Sequence, residues 1–304
     1  ILCKKRHSII KLSTPFEPVS TCYVRENDDT TPLVCSHKGY HKTYDEEIIY
    51  PHSPPKQGDG LLRSITWLVN HMGIRCFDLD MTLTKDGEVI VGHPVDLAML
   101  LGLGEPQTLS DFDLKSLRAR DKDGGLPVEL RSVVTLQELL SYIAGMGLVQ
   151  LTLEAKNFSD DKLRETAKIL ASYEKWFGGH DEHGVGGAEG LYLIVDETTT
   201  EKALRLELKK YIRLALGVRE SKYGGDESVY CGGRESVPPH FSYVMPHWLV
   251  ADKCKESRPE VNWAGVGLWL IDSKEELNFL AGANAIVSNV PAVITPHCMH
   301  TAER

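Results

Sequence analysis

Three short segments of the chain carry residue types that together could cleave a phosphodiester. They are SHKGYH (Ser36 to His41), FDLDMTLTKDGEVIVGHP (Phe77 to Pro94) and LTLEAKN (Leu151 to Asn157). Their reactive groups are His37 and His93, the carboxylates of Asp78, Asp80 and Glu154, and the ammonium of Lys156. Each lies at the end of an apolar, strand-like run or in the turn after one. Asp78 and Asp80 are two apart on one strand, so their side chains share a face, while Phe77, Leu79 and Met81 point the other way. Two buried carboxylates side by side repel unless a cation lies between them. Glu154 repeats the arrangement on a later strand, with Lys156 two residues on. Three oxygen donors suit a hard ion, Mg2+ or Ca2+, whereas zinc would draw His or Cys into its shell. Such an ion would neutralise a phosphodiester's charge and polarise its phosphorus. Lys156 would add a point charge on a phosphate oxygen. His37 and His93, reaching the same point from two sides, can act as base and acid.

These groups need elements that carry them to one place. From Leu33 the chain alternates strand-like runs with amphipathic helical stretches. LVCS, IRCFDLDM, LVQLTLEAK, GLYLIVDE, FSYVMP, GVGLWLID and ANAIVS read as strands. LLRSITWLVNHMG, LSDFDLKSLRAR (capped by Ser110), TLQELLSYIA, DDKLRETAKILASYEKWF, EKALRLELKKYIRLAL and SKEELNFLAG read as helices. TLTKDGEVIVGH reads as a β-hairpin turning at Asp86-Gly87. Strands alternating with helices of this length predict parallel βα units. Their number at 304 residues predicts an α/β fold of the (β/α)8 TIM-barrel kind, with a small hairpin insertion after the second strand. The expected organisation is an N-terminal extension over 1–32, one barrel domain over 33–298 and a short tail over 299–304. In a barrel the strands' C-terminal ends carry the reacting groups.

Composition narrows the partners. A net charge of −9 argues against nucleic acid or an anionic membrane surface. No apolar run is long enough to span a bilayer. The chain begins at Ile1, which leaves room for a removed targeting or anchor segment, with Lys4-Lys5-Arg6 as its flank or as a solvated basic patch, and leaves the compartment open. Seven scattered cysteines form no CxxC pattern and do not suggest a full disulfide framework; Cys35 and Cys76 read as small core hydrophobes. His180 and His183 read as exposed loop residues in a Gly-rich insert, and Gly217 to His240 as a second long loop.

The three segments resemble the motifs of the glycerophosphodiester phosphodiesterase family, barrel hydrolases related to the phosphatidylinositol-specific phospholipases C. The family's His-Arg-Gly is His37-Lys38-Gly39 here. Its Glu-x-Asp and following hairpin are Asp78-Leu79-Asp80, Leu83 to Gly87 and Val91-Gly92-His93-Pro94. Its Glu-x-Lys is Glu154-Ala155-Lys156. Its late Trp strand is Trp269 to Asp272, and its closing Thr-Asp is Ser288-Asn289. The resemblance implies Asp78, Asp80 and Glu154 as ligands of one divalent cation, and His37 and His93 as the acid/base pair. It implies Lys38, Lys156 and Trp269 in the substrate shell. The implied reaction splits a glycerophosphodiester into glycerol 3-phosphate and an alcohol. The family's Glu-Asn pair falls on Gly60-Leu61, its Arg on Lys38 and the Asp after its second His on Pro94. These departures leave two alternatives: a lipid phosphodiesterase of the sphingomyelinase D or lysophospholipase D kind, accepting a lysolipid substrate, or a decayed barrel serving as a binding or assembly subunit. LAMLLGLG (Leu97 to Gly104) would supply an apolar groove for the first, or a short core helix.

Overall fold

The computed structural model describes residues 33–40, 55, 59–105, 107–121, 126–177, 190–218, 241–246, 267–269, 285–289 and 291. The N-terminal extension, the C-terminal tail, the SKEELNFLAG helix and His180 and His183 lie outside them, as do Cys3, Cys22, Cys231, Cys254 and Cys298. So does nearly all of both Gly-rich inserts. Ten strands are present among the described residues: β1 Leu33–His37, β2 Cys76–Leu83, β3 Val89–Val91, β4 Val134–Thr135, β5 Gln150–Ala155, β6 Gly190–Asp196, β7 Arg213–Val218, β8 Tyr243–Pro246, β9 Gly267–Trp269 and β10 Ala285–Ser288. The helices are α1 Leu61–Met72, α2 Pro94–Leu100, α3 Leu114–Arg120, α4 Leu136–Ile143, α5 Asp160–Tyr173 and α6 Glu197–Arg205.

Eight of the strands form one parallel path in the order β8-β7-β6-β5-β2-β1-β10-β9. Its two end strands, β8 and β9, lie beside each other. This is the α/β barrel that the alternation predicts. β2 runs on into an antiparallel pairing with β3, and β3 pairs with the two-residue β4. The hairpin thus sits after the second strand, as expected.

Side-chain alternation sorts the core into an inner and an outer layer. Leu33, Cys35, Cys76, Tyr192, Ile194, Ala215, Met245 and Val287 pack inside the barrel. The opposite faces of β2 and β5 (Phe77, Leu79, Met81, Leu151 and Leu153) pack outward against helix residues such as Leu62, Ile65, Leu68, Leu139 and Leu170. Full burial of one such side chain contributes roughly 1.5–3 kcal/mol. Two helix ends show local chemistry at work. α1 ends at Gly73 in the left-handed region, φ +67°, which costs glycine little. Thr135 and Glu138 form a capping box on α4.

Three local expectations need correcting. EKALRLELKKYIRLAL is not one helix: α6 stops at Arg205, Glu207 takes φ +51°, and Arg213–Val218 is strand β7. Leucines recur there at spacings that satisfy both periods, and pairing with β6 decides. The helix read over LSDFDLKSLRAR starts at Leu114, and its cap is Asp113, which accepts from the Ser116 N–H at 2.7 Å, rather than Ser110. Cys35 and Cys76 are buried as expected, but they are register partners joined by a disulfide, with Cα atoms 4.3 Å apart.

Candidate active site

Strand register brings most of the candidate residues together at the C-terminal ends of β1, β2 and β5. His37 pairs with Asp78 across β1 and β2, Asp78 with Thr152 and Asp80 with Glu154 across β2 and β5. All of these positions alternate with the outward-facing core residues, so they belong to the barrel's inner face. The chain then turns sharply: Lys38 takes φ +58° and its N–H donates to the Asp78 carbonyl at 2.7 Å. Gly39 follows at φ +72°, where a Cβ would stand 2.8 Å from Leu61 Cδ1. His93 is carried by the hairpin. The Gly92 N–H donates to the Asp80 carbonyl at 2.8 Å, which ties this return to β2, and His93 occupies the N-cap position of α2.

Lys156 stands just past β5, its N–H donating to the Met81 carbonyl at 2.9 Å. Its ammonium lies between two carboxylates, 2.5 Å from Glu154 Oε1 and 3.2 Å from Asp80 Oδ1. Asp78 turns instead to Thr152, whose hydroxyl donates to Oδ1 at 2.5 Å. Burial pushes the Asp78 carboxyl up to about 7; the Thr152 hydrogen bond and Lys156 oppose the rise, and the charges of Asp80 and Glu154 add to it. Two carboxylates therefore face one lysine, with the Asp78 carboxyl held by Thr152 beside them, an excess of acidic groups in a hard, all-oxygen donor set. That chemistry fits a divalent cation. Among the described residues, however, no group of three or more His, Cys, Asp or Glu side chains stands ready as a ligand set. Asp80, Glu154 and Asp78 are the side chains that would hold such an ion.

The histidines differ in their support. His37 Nδ1 is 2.8 Å from Asn289 Oδ1, just past β10. With that oxygen as acceptor, Nδ1 carries the proton and Nε2 the lone pair. Asn289 is 5% exposed, and the sequence marked it only as a departure from a motif; the usable signal was a polar residue directly after an apolar closing strand. His93 has its proton affinity lowered, chiefly by burial, with Lys38 and Lys156 adding to the effect and Asp80 and Asp96 opposing it. Lys38, expected on phosphate, is held by Asp96 of α2 at 2.6 Å. Trp269 lies in β9 as the register partner of Val287. A cavity of about 20 Å3 beside Lys38, Asp80, His93 and Asp96 has room for about one water. A larger cleft of about 370 Å3 lies at the N-terminal ends of β7 and β8. Its acid, Glu174, is tied to Arg213 at 3.1 Å, and its other lining residues offer no acid/base pair.

No family model and no curated protein matches the sequence. Solved structures do match. A glycerophosphodiester phosphodiesterase from Thermotoga maritima aligns over 88% of this chain and 98% of its own, at 16% identity and a TM-score of 0.56. One from Parabacteroides distasonis aligns over 90% and 99%, at 16% identity and 0.54. An Oleispira antarctica phosphodiesterase in complex with the product sn-glycerol-3-phosphate aligns over 88% and 96%, at 15% identity and 0.52. The likeness spans nearly the whole of each of those proteins, and this chain has the barrel fold of the glycerophosphodiester phosphodiesterases.

Proposed function

We propose that the chain is a phosphoric diester hydrolase that cleaves a glycerophosphodiester into glycerol 3-phosphate and an alcohol. The observation that carries this reading is the unbroken register from His37 through Asp78 and Asp80 to Glu154 on three adjacent strands, at the barrel end where reacting groups gather. The shared fold of the structures above, one of which holds sn-glycerol-3-phosphate, supports it. His37 accepts a proton at Nε2 from the attacking oxygen, its ring held by Asn289. His93 gives a proton to the leaving oxygen, so that water adds across one P–O bond and no net proton is consumed. The negative charge of a bound diester offsets the two lysines that depress His93 and raises its proton affinity. Each transfer contributes about 10²- to 10⁴-fold in rate. Asp80, Glu154 and Asp78 would hold Mg2+ or Ca2+, which when bound supplies neutralisation of the phosphate charge. Lys38 and Lys156 contact the phosphate.

One observation favours a second reading, a lysolipid substrate. Val95 and Met99 on α2 are 58% and 73% exposed, and Leu100 is also exposed, beside His93. An acyl chain could lie along them.

Hydrolysis of glycerophosphocholine and lysophosphatidylcholine, measured with Mg2+, Ca2+ or EDTA, tests both. Turnover of at least one is expected with metal, lost in EDTA and nearly abolished in folded His37→Ala and His93→Ala chains. Full activity in EDTA would remove the metal; no activity on either diester would leave a binding or assembly role.

A further inference from the structure

His93 Nδ1 is buried and makes no hydrogen bond. Asp96 Oδ1 stands 4.0 Å from it, just beyond hydrogen-bond reach. The other oxygen of the same carboxylate, Oδ2, takes the Lys38 ammonium at 2.6 Å. Asp96 therefore faces two partners and holds one of them. His93 and Asp96 are three residues apart on the first turn of α2, so they ride on one rigid piece of backbone. Lys38 has its backbone pinned to Asp78, and what can move is its flexible four-carbon side chain.

We propose that Asp96 is a positioning residue that passes from Lys38 to His93 when a phosphodiester binds. In the free chain Lys38 occupies the carboxylate. A phosphate at the site competes for the Lys38 ammonium. Asp96, released, closes by about 1 Å to accept the Nδ1–H of His93. There it fixes the ring's tautomer and stabilises the imidazolium from which Nε2 delivers its proton. The inference rests on the reading of His93 as a proton-transfer group. It needs no metal.

The test is steady-state hydrolysis by Asp96→Ala and Asp96→Asn, each made in the natural chain and in a Lys38→Ala chain, with thermal melts to confirm folding. In both backgrounds kcat is expected to fall at least about 10-fold, the lower end for carboxylates that hold a functional histidine, with KM changed by less than about threefold. Asp96→Glu should restore part of the rate. An unchanged kcat overturns the proposal. So does a loss that disappears in the Lys38→Ala background, because Asp96 would then serve only to hold Lys38. Nitrogen NMR of the His93 ring supplies an arm independent of turnover. Adding glycerol 3-phosphate should shift Nδ1 toward a stronger hydrogen bond, and the shift should vanish in Asp96→Ala. No shift overturns the proposal even in a chain that hydrolyses nothing, whereas absent turnover with the shift present overturns only the proposed function.

Discussion

Asp78 shows how a single side chain can make the site's charge balance measurable. In the fold it keeps its proton to about pH 7, against an ordinary value of 3.8, mainly because it is buried. The unfolded chain gives that proton up at the lower pH. Between the two values the folded state binds more protons, so stability is fully present below about pH 4 and is lost as pH rises toward 7. The slope is at most about 1.4 kcal/mol per pH unit. Asp78→Asn, whose amide does not titrate, should flatten this decline. Denaturant melts in EDTA are expected to separate the two chains more at pH 8 than at pH 4, with the variant the more stable at pH 8. A variant as pH-sensitive as the natural chain would show that another group carries the effect. Asn289 illustrates the other side of residue-scale reading. It gives His37 orientation without charge, a role visible only once the two side chains are 2.8 Å apart.

At the scale of elements, α2 is held by little packing. Only Leu97 of its seven residues is buried, and that one joins Ile90, Leu101, Leu109, Leu117 and Val133 in a small cluster under the hairpin. Its exposed apolar side chains face away from that cluster, and no Lys or Arg occurs between Lys85 and Lys115. A Val95→Ser/Met99→Ser chain should keep its melting temperature, because the lost surface was already wet. If an acyl chain rests there, KM for lysophosphatidylcholine should rise about tenfold, the equivalent of roughly 1.4 kcal/mol of lost contact, and glycerophosphocholine turnover should stay the same. Equal KM values would remove α2 from substrate binding. The expectation of a short core helix over Leu97 to Gly104 holds for Leu97 and Leu101 and fails for Met99 and Leu100.

Across the whole molecule, the Cys35–Cys76 disulfide ties the strand carrying His37 to the strand carrying Asp78, one inward-facing position below each. Closing a loop over a sequence separation of 41 stabilises the fold by roughly 2–4 kcal/mol where the bond forms. A Cys35→Ala/Cys76→Ala chain is expected to melt below the oxidised natural chain. The natural chain should approach it in reductant. Coincident melts under oxidising conditions would show that the two thiols are only core filling. Among the described residues, no helix is long and apolar enough to cross a membrane.

The sequence by itself determined which residue types stand at which strand ends. The alternation of periods predicted the barrel, and the two-residue spacing of Asp78 and Asp80 and of Glu154 and Lys156 predicted a charged inner face, because side-chain direction in a strand depends only on parity. It also placed the hairpin, a helical segment ending at Gly73 and another starting at Thr135, which are local chemistry. Tertiary structure alone decided which strands adjoin. That choice makes Cys35 and Cys76 partners, sets Asp80 opposite Glu154 and brings Asn289 to His37 across 252 residues. It also turned RLAL (Arg213 to Leu216) from helix to strand and gave Lys38 to Asp96. Such pairings depend on the register of parallel strands joined by long crossovers, and no local pattern in the chain records that register.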